Sequence, residues 1–369
     1  MSILIVHNEG EYFGGAEKML IYFAEELDVR KVPVSIALVR GSKLDQELPP
    51  NSSKIYISGR DKFSIREIRR QSATIEPLQS KQCFRVVHGW AAKDWELASF
   101  LARRLRIPAV GTLHDHPASG YLSRFRRFLM RWTANHGLKK TVCVSKAVML
   151  ECRKQGYRGD RLGYIHNGVR FPDKPVARGF KLPLRLGFLG TFSPGKGVDG
   201  LFHIMEKLGP QAGSISVQIA GGTNCVGDEE WLADLKKRLE TKLKSENIQW
   251  LGWINDLDRF FGGIDLLFFP SRMFDSFPTV LLEASRHGVP VLAADIGGAS
   301  EIVVNGKTGW LFSPENWAQA SERLKLIVAD PRILEEMSRL TFERGSEFFS
   351  LNKMVDNYLE LYSRLELHV

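Results

Sequence analysis

The chain has 369 residues, 44% hydrophobic and 25% charged, which excludes a disordered or collagen-like protein and is too long for one ordinary core, so two domains of comparable size are expected. No run reaches the ~18 apolar residues of a membrane span. The opening MSILIVHNEG has neither a basic leader nor a small-residue cleavage site, so a cytoplasmic protein without a secretory signal is expected. Net charge is +9 but uneven: residues 1–185 hold 33 Lys and Arg against 17 Asp and Glu, a balance of +16, and the remainder 18 against 25, a balance of −7. Only the front half is suited to an anionic partner.

In chain order, apolar β-rich runs at 3–7, 34–39, 54–57, 86–88, 109–113, 141–144 and 162–165 alternate with helical patterns such as 16–27 and 94–105. A Pro- and Gly-bearing stretch, FPDKPVARGFKLP, interrupts this at 171–183. The alternation restarts at 184–189, 216–220, 248–251, 265–269 and 289–293, and helical patterns run from 317 to 368. No repeat of solenoid period occurs. The fold class expected is α/β, with two Rossmann-like doubly wound domains facing across a cleft. The domains are 1–172 and 184–345, with a linker at 173–183 and a closing helix at 346–369 that returns toward the first domain.

Cys83, Cys143, Cys152 and Cys225 lack C-x-x-C spacing, so neither a zinc site nor a disulfide frame is expected. Cys143, in the apolar run TVCV, reads as core.

Ligands of open α/β sheets bind where strands end and helices begin, and three loops have the composition for this. The first, residues 8–17 (NEGEYFGGAE), carries Gly14 and Gly15, which would present free amides at a helix start or form a plain tight turn. The second, residues 190–197 (GTFSPGKG), is no P-loop, because a Ser or Thr does not follow its lysine. Lys196 between two glycines suits a diphosphate as well as it suits solvent. The third, residues 271–283 (SRMFDSFPTVLLE), places Asp275 in a loop, Pro278 in a first helical turn and Glu283 among apolar positions, where it needs a polar partner or a ligand hydroxyl.

Other features point away from metal or nucleic acid. Asp256-Leu257-Asp258 spells D-x-D but opens a helix, so N-capping is expected. His114-Asp115-His116 offers neighbours that would point to opposite faces. Trp250, Trp253, Phe260 and Phe261 read as core and pocket wall, and no nucleic-acid-binding module is present.

With the segment AADIGGASE at 293–301, these loops closely resemble glycosyltransferase family 4, retaining enzymes of the GT-B architecture. The resemblance is densest over 248–312 and extends to GGAE, the segment 112–115 (TLHD), Val144-Ser145 and Asn167-Gly168-Val169. It implies a retaining, metal-independent hexosyltransferase without a cofactor. The donor would be a nucleotide-diphosphate sugar, UDP rather than GDP, and the acceptor a glycan or lipid-linked glycan of bacterial surface polysaccharide or glycolipid assembly.

Glu283 would hold the ribose hydroxyls and Asp275 those of the donor sugar. Lys196 and the amides near Phe277, Pro278 and Thr279 would neutralise the diphosphate, and the base would lie beside Trp253 and Ile254. Gly14 and Gly15 would border donor and acceptor, and His114 would face the reacting sugar. Lys196, His114 and Asp275 would thus be the catalytic set. Two departures stand out. Asp275 replaces the family's usual Glu, and Thr191 its usual Arg, with Arg272 a conceivable substitute cation.

Residues 121–132 (YLSRFRRFLMRW) join Arg124, Arg126, Arg127 and Arg131 to aromatic residues on one helix, a pattern suited to an anionic membrane surface, a phosphorylated acceptor, or simply a solvated helix. A second cationic group comprises Arg60, Lys62, Arg66, Arg69 and Arg70. A location at the inner face of the membrane is the corresponding expectation. Two other classes stay open: a GT-B nucleotide-sugar epimerase and a basic nucleic-acid-binding protein.

Overall fold

The computed structural model describes residues 2–10, 13–59, 64–223 and 228–367; Arg60, Lys62, Cys225 and His368 lie outside them. The chain divides into two units, Met1–Gly168 with Leu351–Val369, and Val169–Ser350.

The first unit holds a seven-stranded parallel sheet of β1 (Ser2–His7), β2 (Val34–Val39), β3 (Ser53–Ile57), β4 (Phe84–Gly89), β5 (Ala109–Leu113), β6 (Lys140–Cys143) and β7 (Leu162–Tyr164), in the order β3-β2-β1-β4-β5-β6-β7. The inner strands are apolar on both faces because helices cover both, and Ile3, Leu4, Ile5 and Val6 are all buried. Between β1 and β4 the strand order reverses, which is the crevice where such sheets take ligands.

The helix Leu351–Glu366 belongs to this unit although it ends the chain. Its Tyr358 and Tyr362 are fully buried; Tyr358 packs edge-on against Phe23 and Tyr362 Oη meets His88 Nδ1 at 2.6 Å. Burying each such ring contributes on the order of 2 kcal/mol, enough to anchor a helix remote in sequence.

The second unit holds β8 (Leu184–Leu189), β9 (Ile215–Ala220), β10 (Ile248–Gly252), β11 (Leu266–Phe269), β12 (Val291–Ala294) and β13 (Gly309–Phe312), all parallel, in the order β10-β9-β8-β11-β12-β13. The sheet packs through Leu186, Phe188, Ile219, Phe268 and Phe312 against helices carrying Leu201, Leu324 and Trp317. Its order reverses between β8 and β11.

Three details differ from the sequence expectations. β13 was not expected, since GWLF is too short to show a period. β12 starts two residues late, after Pro290, whose ring nitrogen cannot donate to a ladder. Asp265 precedes β11 and instead clamps Arg185, accepting from its backbone N at 2.9 Å and its Nε at 3.0 Å. Residues 171–183 form no helix or strand, yet Phe180 enters the core of the second unit and Arg178 donates to the carbonyls of Phe261 and Ile264.

Candidate functional site

In the second unit, the loops leaving β8 and β11 meet at the reversal point. Ser193 caps a tight turn, Pro194–Lys196, by accepting from the Lys196 amide at 3.3 Å. Gly197 follows at φ +70°, and a Cβ there would come within 2.1 Å of the Pro270 carbonyl oxygen. Only glycine permits this approach. The amides of Arg272 and Met273 both donate to the Gly195 carbonyl, at 2.9 and 3.2 Å, zipping one loop to the other.

This arrangement delivers Lys196 Nζ to Asp275 Oδ2 at 2.7 Å, with the two side chains 35% and 19% exposed. Ion pairs this open contribute at most about 1 kcal/mol. A ligand phosphate can therefore displace the carboxylate with little cost.

Asp275 is itself set by the loop after β12. The Gly298 amide donates to the Asp275 carbonyl at 2.9 Å, and a Cβ on Gly297, at φ +60°, would lie 2.0 Å from that oxygen. Phe277 is buried edge-on against Phe349, so the chain turns sharply into the helix Thr279–Arg286. Pro278 is the N-cap of that helix, one position before the first turn where the sequence reading put it. The positive helix end thus opens at Thr279, beside Asp275 and Lys196. Glu283, one turn further, is buried, with Arg286 Nη1 3.5 Å from its Oε2.

Arg272, the conceivable substitute for the cation absent at Thr191, is held by partners of its own unit. It forks onto Asp199 at 2.7 and 2.8 Å, reaches Glu315 at 3.0 Å and lies over the Trp317 ring. A bidentate guanidinium pair of this kind braces the loop. Thr191 is half-buried next to Phe192, which packs edge-on against Trp250.

The aromatic group divides. Phe260 and Phe261 are core and Trp250 packs against it, whereas Trp253 is exposed and lies against Gly222, with Ile254 half-buried beside it. Asp256 caps the helix Leu257–Gly263 through the Arg259 amide at 2.9 Å, as expected of the D-x-D segment.

In the first unit, Gly14 caps the helix Gly15–Val29, but its amide is not free as anticipated: Glu17 Oε2 accepts it at 2.7 Å. His114 follows β5 with its ring 5.5 Å from that of Trp90. Burial, partly countered by the field of Glu17, pulls its pKa down to about 4, so the imidazole is neutral at pH 7. Its buried Nε2 has no hydrogen-bond partner among the described residues. His116 lies instead near Glu151, at 3.5 Å, and accepts from the Ala118 amide, so the two histidines do not converge.

Three residues that the sequence gives no separate role, His7, Glu17 and Asp94, stand near His114. His7 ends β1 and contacts Glu17 through Nε2 at 3.0 Å and Asp94 through Nδ1 at 3.2 Å. Burial opposes its charge, yet hydrogen bonds to Asp94 and Glu17 outweigh burial and hold its pKa up at about 9. The available signal was a histidine closing an otherwise apolar buried strand.

A family model of glycosyl transferases group 1 matches residues 176–344, and one of glycosyltransferase family 4 matches residues 13–171. The chain belongs to this glycosyltransferase family. Among its relatives, the Escherichia coli UDP-Gal:alpha-D-GlcNAc-diphosphoundecaprenol alpha-1,3-galactosyltransferase is 25% identical, the match covering 77% of this chain and 76% of that one. An uncharacterized 41.2 kDa protein in the cps region of Klebsiella pneumoniae is 26% identical, over 49% of this chain and 47% of that protein. The crystal structure of HepE from Anabaena in complex with UDP is 20% identical and superposes with a TM-score of 0.83, covering 99% of this chain and 100% of that one. The glycosyltransferase therefore has the GT-B architecture, built of two Rossmann-like parallel-sheet units.

The basic segment of this glycosyltransferase forms the helix Arg124–His136. Phe125, Phe128 and Trp132 are exposed, and with Pro117, Arg124, Arg127 and Arg131 the first two line a groove of about 640 Å³. Arg126 does not join them: it turns inward to Glu96 at 2.7 Å and the Ala92 carbonyl at 2.6 Å. In the second cationic group Arg66 and Arg69 are exposed, while Arg70 pairs with Glu67 at 2.8 Å. Among the described residues no helix is long and apolar enough to cross a membrane. Cys143 and Cys152 are buried thiols with their sulfurs 3.9 Å apart.

Proposed function

We propose that this glycosyltransferase is a retaining, metal-independent hexosyltransferase. It moves a hexose from UDP-sugar to a glycan or lipid-linked acceptor of bacterial surface polysaccharide or glycolipid. The observation that carries this reading is the Lys196–Asp275 pair at the sheet reversal, with the positive helix end at Thr279 and the buried Glu283 behind it.

The arrangement suits donor exchange. A bound diphosphate takes the Lys196 ammonium, and the Asp275 carboxylate so released turns to sugar hydroxyls. Amides at Phe277, Pro278's neighbour Thr279 and the lysine loop at Thr191 line the phosphate path. Glu283 accepts from the ribose hydroxyls, and Trp253 with Ile254 borders the base. When the glycosyl–phosphate bond breaks, charge grows on the diphosphate, and a preorganised ammonium with a helix N-terminus stabilises it without metal or cofactor. In the front-face course the family resemblance implies, the departing phosphate oxygen takes the acceptor proton. The neutral His114 then orients hydroxyls through Nε2 rather than acting as a base, beside Gly14 and Gly15.

UDP is favoured because the named E. coli relative uses UDP-Gal and HepE binds UDP. The exposed arginine and aromatic face of the helix Arg124–His136 supports reversible attachment to an anionic bilayer.

The test is ligand-induced stabilisation followed by product analysis. A UDP-sugar at 100 times its Kd raises the unfolding free energy by about 2.7 kcal/mol, and a matching acceptor then yields a glycoside with the donor's anomeric configuration. Stabilisation by GDP-sugars alone, an inverted product, or an epimerised sugar nucleotide without glycoside would each overturn part of this reading.

A further inference from the structure

The strand reversal of the first unit, between β1 and β4, is bridged by an ionic assembly that donor chemistry does not use. His7, Glu17 and Asp94 have side chains 0%, 5% and 0% exposed. Both ring nitrogens of His7 face carboxylate oxygens, at 3.0 and 3.2 Å. A ring satisfied by two carboxylates must donate from both nitrogens, which only the imidazolium does.

The carboxylates pass this restraint to the main chain. Glu17 Oε2 accepts from the Gly14 amide at 2.7 Å, Asp94 Oδ1 from the Asn8 amide at 2.8 Å, and Asp94 Oδ2 from the Ala91 amide at 2.8 Å. One side chain thereby couples the loop after β1 to the loop after β4. Lys93 paired with Glu9, and Trp90 Nε1 donating to the Ala16 carbonyl at 2.8 Å, tie the same two segments. The Trp90 ring in turn carries His114.

Stability alone is a poor account of this cluster, because buried ion pairs replaced by well-packed apolar residues often leave a protein equally or more stable. Its place at the strand reversal, where open sheets bind ligands, gives it a reason.

We propose that His7 is a positioning residue for glycosyl transfer: its imidazolium holds Glu17 on the Gly14 amide and Asp94 on the Asn8 and Ala91 amides, fixing the glycine loop and the Trp90–His114 ring contact that receive the sugar. This rests on the transferase reading above. The charged groups facing the ring are Glu17 from the helix Gly15–Val29 and Asp94 from the turn after β4, with Lys93 and the neutral His114 next to them. Loss of the ring proton leaves two carboxylates facing each other across a neutral ring, and the loops separate.

The experiment compares wild type with the double variant His7→Gln, Glu17→Gln, which removes one charge of each sign and leaves the buried net charge unchanged. The single variant Asp94→Asn serves if that protein does not fold. In folded variant, kcat is expected to fall at least tenfold while UDP affinity, a property of the other unit, stays within twofold. Amide exchange at Gly14 should quicken. In wild type, nitrogen NMR should show an imidazolium at pH 7.5, and kcat, but not UDP affinity, should decline as pH rises through about 9. A neutral ring at pH 7.5, or unchanged kcat in a folded variant, overturns the role of His7 and leaves the transferase reading standing. Wild type that transfers no sugar from any nucleotide donor overturns both.

Discussion

The two units share one topology and use its reversal point in opposite ways. In the second unit the crevice between β8 and β11 holds a cation and a carboxylate, Lys196 and Asp275, both partly in water and joined by a single contact. In the first, the crevice between β1 and β4 holds a cation and two carboxylates, wholly buried and bonded to three main-chain amides. Solvent exposure decides the difference. A screened pair exchanges readily with a ligand, whereas breaking a buried pair strands a charge at a cost of about 3–5 kcal/mol. One crevice carries an ion pair that a ligand can open, and the other an assembly that holds the surrounding loops fixed.

The largest effect that could break this comparison lies at Lys196. If its ammonium serves the leaving diphosphate, Lys196→Ala should lower turnover by about 10²–10³-fold, the scale of losing one preorganised charge-stabilising donor. Nucleotide affinity should change only a few fold. Steady-state rates paired with calorimetric UDP titration separate the two. A variant that loses binding and turnover in equal measure would show that Lys196 acts in the ground state.

Glu283 should do the reverse. Its carboxylate is buried near Arg286, and a hydrogen bond to a charged group contributes about 1.5–3 kcal/mol. Glu283→Ala should therefore weaken UDP binding by about 10–100-fold. Unchanged affinity would remove the ribose assignment and leave Glu283 as an internal partner of Arg286.

How far these residues could be read from sequence depends on whether the information was local. Lys196, Asp275 and Glu283 each sit in a short segment whose strand, turn and helix signals are contiguous, so their loops were legible. Their pairing was not, because Lys196 and Asp275 are 79 positions apart and only the β8–β11 adjacency joins them. His7 and Asp94 are 87 apart, and each alone is unremarkable in composition. Arg126 is a different lesson. Helical period places residues 124, 127 and 131 on one face and residue 126 on the opposite one, so its inward turn is written in the sequence. β13 was out of reach, since four residues ending in a turn carry no period.

Stability against pH sharpens the contrast between the crevices. His7 has a folded pKa of about 9 against 6.5 unfolded, so its contribution is complete below about pH 6.5 and is lost as pH rises through 9. Glu17 and Asp94 are held below their ordinary values despite burial, chiefly by hydrogen bonds to His7, so theirs is lost as pH falls through the acid range. Thermal melts should therefore show a decline between pH 7 and pH 10 that is absent from the double variant His7→Gln, Glu17→Gln. Lys196→Ala should keep the decline, because the exposed pair contributes little to stability. An equal alkaline loss in wild type and the double variant would place its origin elsewhere.

The smallest effect concerns the outer surface of the first unit, where the contrast between committed and available charge recurs within one helix. Arg126 is spent on Glu96, whose side chain is 4% exposed, while Arg124, Arg127 and Arg131 border the groove with Phe125 and Phe128. Among the described residues the hydrogen bonds of Arg127 and Arg131 go to carbonyls, at Leu122 and Gln155, which leave their charge unneutralised. Each basic residue near an anionic bilayer contributes about 1 kcal/mol, a figure that salt reduces. Replacing Arg124, Arg127 and Arg131 with Gln should lower co-sedimentation with phosphatidylserine vesicles at low salt by about two orders of magnitude, with UDP affinity and melting temperature unchanged. Arg126→Gln should do the opposite, leaving vesicle binding nearly intact and lowering the melting temperature by stranding the Glu96 carboxylate. Wild type that ignores such vesicles even at low salt would remove the membrane role. The three outward guanidinium groups would then be left to a soluble anionic acceptor, a role that competition by inorganic pyrophosphate for acceptor-dependent turnover would test.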